Sequence, residues 1–303
     1  MIKHNLLVSE LRLMQLIILT SLIELTSLCK ALNINFYAIA GTLLGAYRHG
    51  GFIPWDSDCD VAMMREDYEL FIKKANEHIN EKFEVQSNLT HENNRTCFSR
   101  IRIKNTIINE KKNKVSEPSG FYIDIFPIDK IKNKPSFFDT FNHKVIKILI
   151  RAKAYKSGKI YSSSKLRSLI GFIISLIFLP IPKRALSNLI ENYMKRHQYI
   201  DTNLVTNYNS KYGLIKQTMA REIYGIPKRY KFEGIEIPIP NDSELWLRKI
   251  YGNYMNTPPC PKLDLKTLMP FYDIDFGNYS ELLNKNEEEI RIILKLPRLE
   301  SKI

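Results

Sequence analysis

Three aspartates stand at alternating positions, Asp56, Asp58 and Asp60, in the stretch GTLLGAYRHGGFIPWDSDCDVAM of residues 41–63. Carboxylates so close together repel one another, so this arrangement is costly unless a cation or a substrate makes use of it. Alternate residues of a strand share a face and lie about 6.5–7 Å apart, so a strand here would point all three carboxylates the same way. Oxygen ligands of this kind suit Mg²⁺ or Mn²⁺, which also hold substrate phosphates.

Three other interpretations compete with a metal site. A calcium loop of the EF-hand type needs Gly at its sixth position and Glu at its twelfth, where this chain has Val61 and Asp67, so that motif fails. The interpretation as the Asp-x-Asp motif of a sugar-nucleotide glycosyltransferase remains an open alternative. Solvated acidic residues on an edge strand are disfavoured because apolar residues surround the aspartates, namely Ile53, Trp55, Val61 and Met63.

A glycine followed by a threonine, Gly41 and Thr42, comes some 17 residues before the Asp-x-Asp stretch. Such a pair at a strand-to-helix turn lets backbone N–H groups and a hydroxyl approach a phosphate closely. A turn of this kind followed by Asp-x-Asp matches the general layout of polymerase-β-like nucleotidyltransferases, which place a third carboxylate on a later strand.

The pattern of apolar residues predicts the elements that must hold these groups. The run LRLMQLIILTSLIELTSLCK predicts a largely buried helix and not a signal peptide, because charged residues interrupt it and no small-residue cleavage site follows. Strands are predicted at INFYAIA, DSDCDVAM, CFSRIRIKNTIIN and GFYIDIFPID, with the last one ending at Pro127. Helices are predicted at LLGAYRHG, at REDYELFIKKANEHINEKF, and at DSELWLRKIYGNYM with Asp242 or Ser243 as its cap, while FEGIEIPIP predicts a strand or hairpin.

The composition of the chain indicates which classes of molecule it binds. The net charge of +13 favours anionic partners, and the absence of zinc-finger, RNP-like or basic-zipper patterns argues against nucleic acid. The four cysteines are scattered without a Cys-x-x-Cys pair, which is typical of reduced thiols in a cytoplasm.

The segment of residues 136–200 is basic and predicted to be helical, and it separates a core of residues 1–135 from a C-terminal part, 201–303, that completes the same domain. It contains the apolar run LIGFIISLIFLPIP, residues 169–182, which is shorter than the ~20 residues of a membrane-spanning helix. Basic residues flank this run. A peripheral membrane contact and a helix that covers the core are both left open.

The stretch of residues 41–71 resembles the hallmark of the LicD family, whose usual form is close to G-T-L-L-G-A-x-R-H-x-G-F-I-P-W-D-D-D-x-D-I-x-M. The segment GFYIDIFPID, residues 120–129, is similar to the second motif of that family, and KFEGIEIPIPNDSELWLRKIYGNYMNTPP, residues 231–259, is similar to its C-terminal motif. The three blocks occur in the family's order, and the likeness spans roughly residues 10–260.

The resemblance implies an α/β (α+β) fold with a polymerase-β-like nucleotidyltransferase core and a mixed sheet. It also implies transfer of a phospho-substituent, most often phosphocholine from CDP-choline, onto a cell-surface glycan such as lipopolysaccharide, teichoic acid or capsule. Related members use CDP-ribitol or other CDP-alditol donors. The expected acceptor is a glycan, with a lipid-linked one in view, and the expected location is the cytoplasm or the inner face of the membrane.

By position in the motifs, the resemblance implies that Asp58, Asp60 and Asp124 are the catalytic carboxylates and hold Mg²⁺ or Mn²⁺. Whether Asp124 is a ligand or the base stays open. Asp129 is the less favoured third carboxylate, and Asp56 is expected to support the strand's entrance. The nucleotide and phosphate contacts would come from the turn and from the motif's basic pair, namely Gly41, Thr42, Arg48 and His49.

The chain departs from the usual motif at two positions. Ser57 replaces a frequent middle Asp, and Ala40 stands where a second Gly or Ser is common. Both changes are expected to leave the site intact. If the donor carries choline, an aromatic cage should surround its ammonium group. The candidates lie in the C-terminal block, where packing roles compete with that function: Tyr224, Phe232, Trp246, Tyr251 and Tyr254.

Overall fold

The computed structural model describes residues 8–88, 90–91, 94, 96–110, 120–133, 137–156, 173, 176–256, 265, 269 and 272–299. The helices are α1 (Glu10–Ala31), α2 (Ala40–His49), α3 (Arg65–His78), α4 (Phe137–Lys156), α5 (Lys183–Lys195), α6 (Leu214–Gln217), α7 (Arg221–Tyr224), α8 (Ser243–Tyr251) and α9 (Glu287–Ile293), with a 3-10 helix at Gly277–Asn284. The strands are β1 (Tyr37–Ala38), β2 (Asp60–Met64), β3 (Phe83–Gln86), β4 (Ser99–Ile103), β5 (Ile107–Glu110), β6 (Tyr122–Ile131), β7 (Leu204–Thr206), β8 (Met219–Ala220), β9 (Lys228–Phe232), β10 (Ile235–Ile239) and β11 (Tyr272–Asp275). The fold is mixed α/β, as the sequence predicts.

A seven-stranded mixed sheet forms the centre of the molecule. Its order is β1-β2-β6-β4-β3, with β7 added to the far end of β6 and β8 added to β7. Strands β2 and β6 are parallel, and the other pairs in this sheet are antiparallel. Strand β6 therefore has a different set of neighbours along each half of its length, and its first half lies between β2 and β4.

The predicted end of β6 at Pro127 is wrong, because the strand continues to Ile131. Pro127 lies opposite Met63 of the parallel strand β2, whereas the antiparallel pairing with β4 has already ended at Ile125. A proline lacks only the backbone N–H, and it is tolerated where the ladder does not require that donor.

The predicted strand CFSRIRIKNTIIN is two strands, β4 and β5, because the chain turns at Asn105, whose φ is +61°. Strand β5 pairs with β11 in a separate two-stranded sheet, and β9 with β10 forms the hairpin predicted at FEGIEIPIP. The side chain of Asp242 accepts a hydrogen bond from the Leu245 N–H, so Asp242 is the cap of α8. The polar stretch EKKNKVSEP, residues 110–118, is predicted to be a loop, and TPPCP, residues 257–261, is predicted to end the last helix; apart from Glu110 in β5, both lie outside the described residues.

The first apolar run forms α1, as predicted, and most of its side chains are buried in the main core. Among the described residues, α1 is a helix whose length and hydropathy would allow it to cross a membrane, but 67% of its most apolar window is buried inside the molecule. The side of α1 that faces the loop before β2 is polar. Gln15 is buried on that side, and its amide donates to two backbone carbonyls of the loop.

A second, smaller core lies between α4, α5 and the far end of β6. It contains apolar side chains from all three elements and from the segment after β7, including Ile131, Ile146, Leu186, Ile190 and Tyr208. The division of the chain at residues 135 and 200 stays a prediction, and residues 157–172 lie outside the described part. Three cysteines, Cys29, Cys59 and Cys97, are buried free thiols, whereas Cys260 is not described.

His143 of α4 supplies a pH dependence of stability in this second core. Burial, with the nearby charges of Lys147 and Arg196, lowers its pKa from 6.5 to about 4. Because folding favours the neutral imidazole, its contribution is complete above about pH 6.5 and is lost as the pH falls toward 4. Between neutral pH and pH 4, we expect the wild type to lose about 3 kcal/mol more of unfolding free energy than His143→Gln. Urea unfolding at a series of pH values measures this, and parallel curves would contradict it.

Candidate active site

Asp60 and Asp124 lie directly opposite each other on the two parallel strands of the sheet. Asp60 is the first residue of β2, Asp124 is the third of β6, and the two are register partners. The Asp124 N–H donates to the Cys59 carbonyl over 2.9 Å, so the pairing continues one residue before β2 begins. Two carboxylates that are 64 residues apart in the chain are therefore held side by side by backbone hydrogen bonds.

The start of α2 lies against the same point. The Asp60 N–H donates to the Thr42 hydroxyl over 2.7 Å, and the Ile39 N–H donates to the Asp60 carbonyl over 3.1 Å. The N–H groups in the first turn of a helix lack intrahelical acceptors, and together with the helix dipole they favour an anion. Gly41 and Thr42 are thus placed beside Asp60, as the sequence predicts, at the end of α2 that suits a phosphate.

The predicted strand over DSDCDVAM is wrong for its first four residues. The strand begins at Asp60, so Asp56 and Asp58 lie in the preceding loop and do not share a strand face with Asp60. The cause is Gln15 of α1, whose amide donates to the carbonyls of Ile53 (3.1 Å) and Asp56 (2.8 Å). A side chain thereby satisfies carbonyl groups that would otherwise seek a neighbouring strand.

The loop brings the Asp56 carboxylate against the backbone of α2. A Cβ added to Gly41 would lie 2.4 Å from the Asp56 Oδ2, so the close approach requires the missing side chain of glycine. The supporting role of Asp56 stays a prediction, and the residue lies in a loop and not at the entrance of the strand.

The positive groups near the site do not balance the negative charge of its carboxylates. Burial and then the charge and hydrogen bond of Asp58 raise the pKa of Asp56 to about 8. Burial, followed by the charges of Asp58, Asp124 and Asp56, holds the pKa of Asp60 well above its usual range. Burial also raises the pKa of Asp124, even though Arg100 acts in the opposite direction. A cation would relieve this repulsion.

Arg100 orients the Asp124 carboxylate. It lies opposite Asp124 on the antiparallel strand β4, and its Nε donates to Oδ1 over 2.7 Å. Its guanidinium is 4.0 Å from the centre of the Tyr122 ring and is therefore held by a cation–π contact as well. The sequence analysis missed Arg100, although its alternation with Arg102 in SRIRI is a visible signal.

The donor set suits a hard divalent ion, because it consists of carboxylate oxygens with uncompensated charge. In the described ranges, however, no group of three or more His, Cys, Asp or Glu side chains stands ready to hold a metal ion. Mg²⁺ is commonly bound by one or two carboxylates together with substrate phosphates and not by a complete protein cage. The chemistry of Asp58, Asp60 and Asp124 therefore fits such an ion, with the substrate supplying further ligands.

Two residues of the C-terminal half also act on this site, and the sequence analysis missed one of them. The charge of Lys211 lowers the pKa of Asp56 and Asp60 against the stronger effects of burial and like charge. The pKa of Tyr251 is raised by burial, by a hydrogen bond with Tyr212, and by the charges of Asp60 and Asp56. The Tyr212 and Tyr251 rings meet edge to face, with centroids 5.7 Å apart. Lys211 and Tyr251 are therefore near enough to Asp56 and Asp60 to interact with them electrostatically.

Arg48 and His49 lie at the other end of α2, about 9 Å of helical rise beyond Thr42. Arg48 Nη1 donates to the carbonyls of Tyr254 and Asn256, each over 3.3 Å, and the His49 ring lies edge to face with Trp55. Both residues line a cavity of about 930 Å³. Their predicted contact with the donor diphosphate stays a prediction.

Glu233, at the tip of the β9–β10 hairpin, fixes the loop that precedes the aspartates. Its carboxylate binds Arg12 (2.8 Å) and Arg291 (2.6 Å) and accepts the Phe52 N–H over 3.1 Å. Burial would raise its pKa, but Arg12 and the other donors outweigh burial, and the pKa of Glu233 is lowered. A Cβ on Gly51 would lie 2.3 Å from the Glu233 Oε1, which leaves room for nothing but glycine in this turn.

Most of the proposed aromatic cage belongs to the core. Tyr224, Phe232 and Trp246 are fully buried, and the Trp246 indole N–H donates to the Tyr224 hydroxyl over 3.1 Å. Tyr254 packs edge to face on Tyr47. Of the five candidates, Tyr251 is the one whose pKa is raised in part by the charges of Asp60 and Asp56, after the larger effects of burial and Tyr212.

Comparison with known proteins shows that the part of the chain that contains the site matches a protein family. Residues 33–154 match the family described as "LicD/FKTN/FKRP, nucleotidyltransferase domain", so the chain contains a LicD family domain. That span holds every carboxylate of the site together with most of α4.

Relatives extend the likeness beyond this domain. The chain is 28% identical over 257 residues to the lipopolysaccharide cholinephosphotransferase LicD of Haemophilus influenzae, which covers 82% of this chain and 92% of that protein. It is also 54% identical over 35 residues to uncharacterized proteins of Rickettsia prowazekii and Rickettsia typhi, which is 12% of this chain and 13% and 11% of those proteins.

Asp129 is distinguished from Asp124 by its partner. Arg65 binds both of its oxygens, over 2.6 and 2.8 Å, and also contacts Glu191, while Arg65 and Asp129 are almost completely buried. We expect Asp129→Asn to lower the free energy of unfolding by about 3 kcal/mol, because the buried Arg65 guanidinium then loses the negative charge of its carboxylate partner.

The matched control is Asp124→Asn, which removes a carboxylate from a site of excess negative charge. We expect this variant to change the free energy of unfolding by about 1 kcal/mol or less. Urea unfolding followed by circular dichroism measures both variants. Equal losses of stability would contradict the separation of a structural aspartate from a functional one.

Proposed function

We propose that the chain transfers a phospho-substituent, phosphocholine in the first instance, from a CDP-linked donor to a hydroxyl of a cell-surface glycan, in a reaction that requires Mg²⁺ or Mn²⁺. The family supports phosphotransferase activity, and the Haemophilus relative is named for transfer of choline phosphate to lipopolysaccharide. We further propose that the sheet and α2 form a nucleotidyltransferase-like core of the polymerase-β type.

The observation that carries the proposal is the register of Asp60 with Asp124 beside the first turn of α2. This places uncompensated carboxylates next to a helix end that favours phosphate. Such groups would repel an anionic donor unless a divalent cation stood between them. The arrangement thus suits a substrate that brings both phosphate and metal.

Asp58, Asp60 and Asp124 are the residues that would hold the metal. A bound Mg²⁺ would supply charge neutralisation on the donor's diphosphate and lower the pKa of an acceptor hydroxyl. The protein's own groups do the rest. The first-turn N–H groups at Gly41 and Thr42 bind a phosphate oxygen, and Arg100 keeps the Asp124 carboxylate pointed at Asp60.

Lys211 adds a positive charge that acts on Asp56 and Asp60, and this charge attracts the donor and helps to orient it. Tyr251 and Tyr212 form an aromatic wall there, which suits the face of a base or an alkylammonium group. Because positioning and charge stabilisation account for most of the acceleration in phosphoryl transfer, no covalent intermediate on the protein is needed.

Release of the nucleotide tests this function. With Mg²⁺ or Mn²⁺ and an acceptor glycan, we expect CMP release from CDP-choline, CDP-ribitol or CDP-glycerol and no UDP release from UDP-sugars. Asp60→Asn should lower the rate by about 1000-fold, because it removes a carboxylate that stabilises the transition state. Chelation with EDTA should abolish CMP release, and added Mg²⁺ should restore it.

The matched control is Asp201→Asn, which changes an exposed aspartate outside the site and should leave the rate unchanged. UDP release from UDP-sugars would favour the sugar-nucleotide glycosyltransferase. The absence of turnover with every donor would favour a non-catalytic membrane-associated member of the fold.

Lys211 provides a second test through a closely matched pair. The Lys211 and Lys216 ammonium groups each lie 5.5 Å from the centre of the Tyr212 ring, but the charge of Lys211 also acts on Asp56 and Asp60. We expect Lys211→Ala to raise the KM for the CDP-linked donor about tenfold, the effect of one lost charge contact of about 1.4 kcal/mol.

Steady-state kinetics on Lys216→Ala should give the wild-type KM, because that change removes a charge near the same ring but away from the aspartates. An equal effect of both substitutions would show that the general positive charge attracts the donor and that Lys211 has no special position.

A further inference from the structure

Helix α4 carries apolar side chains on two opposite faces. The inner face packs in the second core through Ile146 and Leu149, and Ala152, one turn beyond Ile148, is also buried there. The other face is exposed and holds five large apolar side chains with exposed fractions between 38% and 81%, which we call the outer stripe: Phe137, Phe138, Phe141, Val145 and Ile148. The spacings of four, four and three residues from Phe137 to Ile148 align these side chains along the helix.

A second group of exposed apolar side chains lies past the end of α4. Leu176, Ile177 and Leu179 are 50%, 66% and 65% exposed. The Lys156 ammonium group, at the last residue of α4, donates to the carbonyls of Phe178 (2.9 Å), Leu179 (2.7 Å) and Ile181 (2.6 Å). These bonds hold the turn of residues 176–181 at the C-terminal end of the helix. The outer stripe extends about 17 Å along the first part of α4, and the turn adds a second exposed apolar group at the other end of the helix.

The charges around this surface are almost all positive. Between residues 137 and 195 the sequence has two acidic residues, Asp139 and Glu191. Asp139 is buried beside Arg196 and His197, and Glu191 is bound by Arg65. Basic residues on α4 and at the start of α5 are exposed among the apolar ones, namely Lys144, Arg151 and Arg184.

We propose that the outer stripe and the turn of residues 176–181 bind the surface of an anionic lipid bilayer. Exposure of so many Phe, Val, Ile and Leu side chains to water is unfavourable for a monomer, and large exposed apolar patches mark interaction surfaces. A helix that lies in the interface buries such a face among the acyl chains, while Lys and Arg bind the anionic headgroups. The pattern of exposed Phe with interspersed cations matches that environment.

A second copy of the chain is the less favourable occupant. Two copies that paired through the outer stripe would bring the cations that border it, such as Lys144 and Arg151, close to the same cations of the other copy. Like charges at an interface weaken it. An anionic bilayer has the opposite charge and accepts the same apolar side chains.

The docking surface is connected to the candidate site. Lys147, on α4, donates to the Ser210 carbonyl over 2.8 Å, and the next residue is Lys211. A chain bound to a bilayer through α4 therefore holds the segment that carries Lys211 near the lipid surface. The proposal of membrane binding does not depend on the proposed reaction.

Vesicle flotation with the full chain tests the proposal. We expect the wild type to float with phosphatidylcholine vesicles that contain phosphatidylglycerol and to bind pure phosphatidylcholine more weakly. The double variant Phe137→Ser/Phe141→Ser should bind the anionic vesicles about 100-fold more weakly, since each of the two lost Phe contacts contributes about 1.4 kcal/mol. Lys144→Glu/Arg151→Glu should reduce binding to the anionic vesicles and remove its dependence on phosphatidylglycerol.

The matched control is Ile215→Ser/Ile226→Ser, which removes two side chains that are 73% and 86% exposed outside this surface, and it should bind as the wild type does. Phe141→Trp provides an independent measurement, because its fluorescence should shift to shorter wavelength when anionic vesicles are added. Circular dichroism checks that each variant is folded.

Three results would overturn the proposal. The wild type could remain with the unbound fraction on both kinds of vesicle. The Phe137→Ser/Phe141→Ser variant could float as well as the wild type while remaining folded. Sedimentation could also show a wild-type dimer that this variant converts to a monomer, without vesicle binding by either, in which case a second copy is the occupant.

Discussion

Two carboxylates held next to each other by a parallel strand pair are the constraint on which the rest of the site depends. Asp60 and Asp124 cannot separate without breaking the backbone ladder between β2 and β6. Burial and like charge work against their ionisation, so the fold stores an electrostatic cost at this point. Arg100 and Lys211 offset part of that cost, and in the proposed reaction a divalent cation that arrives with the donor would offset more of it.

The surroundings of this pair are built from segments that lie far apart in the chain. Thr42 fixes the start of β2 from the preceding helix, Gln15 shapes the loop from α1, and Glu233 closes the same loop from the C-terminal half. Each contact is a hydrogen bond between a side chain and the backbone. A loop that carries catalytic groups is in this way given the rigidity of a strand, which is what precise positioning requires.

The sequence predicted the parts of this structure that depend on local pattern. The buried helix α1, the turn at Gly41 and the strand that carries Asp124 follow from apolar periodicity and from short motifs. The start of β2 was misplaced because it depends on Gln15, a residue 41 positions before Asp56 whose role appears only when α1 packs. Lys211 reaches the aspartates through the packing of the C-terminal half, which no local pattern encodes.

The hydrogen bonds of Glu233 have a consequence for the order in which the structure is completed during synthesis. Arg12, Glu233 and Arg291 come from near the start, the last third and the end of the chain, yet they meet around one carboxylate. During synthesis the N-terminal residues leave the ribosome first, so the loop before Asp56 is made early and gains its final support last. The bond of Arg291 to Glu233 therefore forms only after residue 291 has been synthesised, long after the loop that it supports.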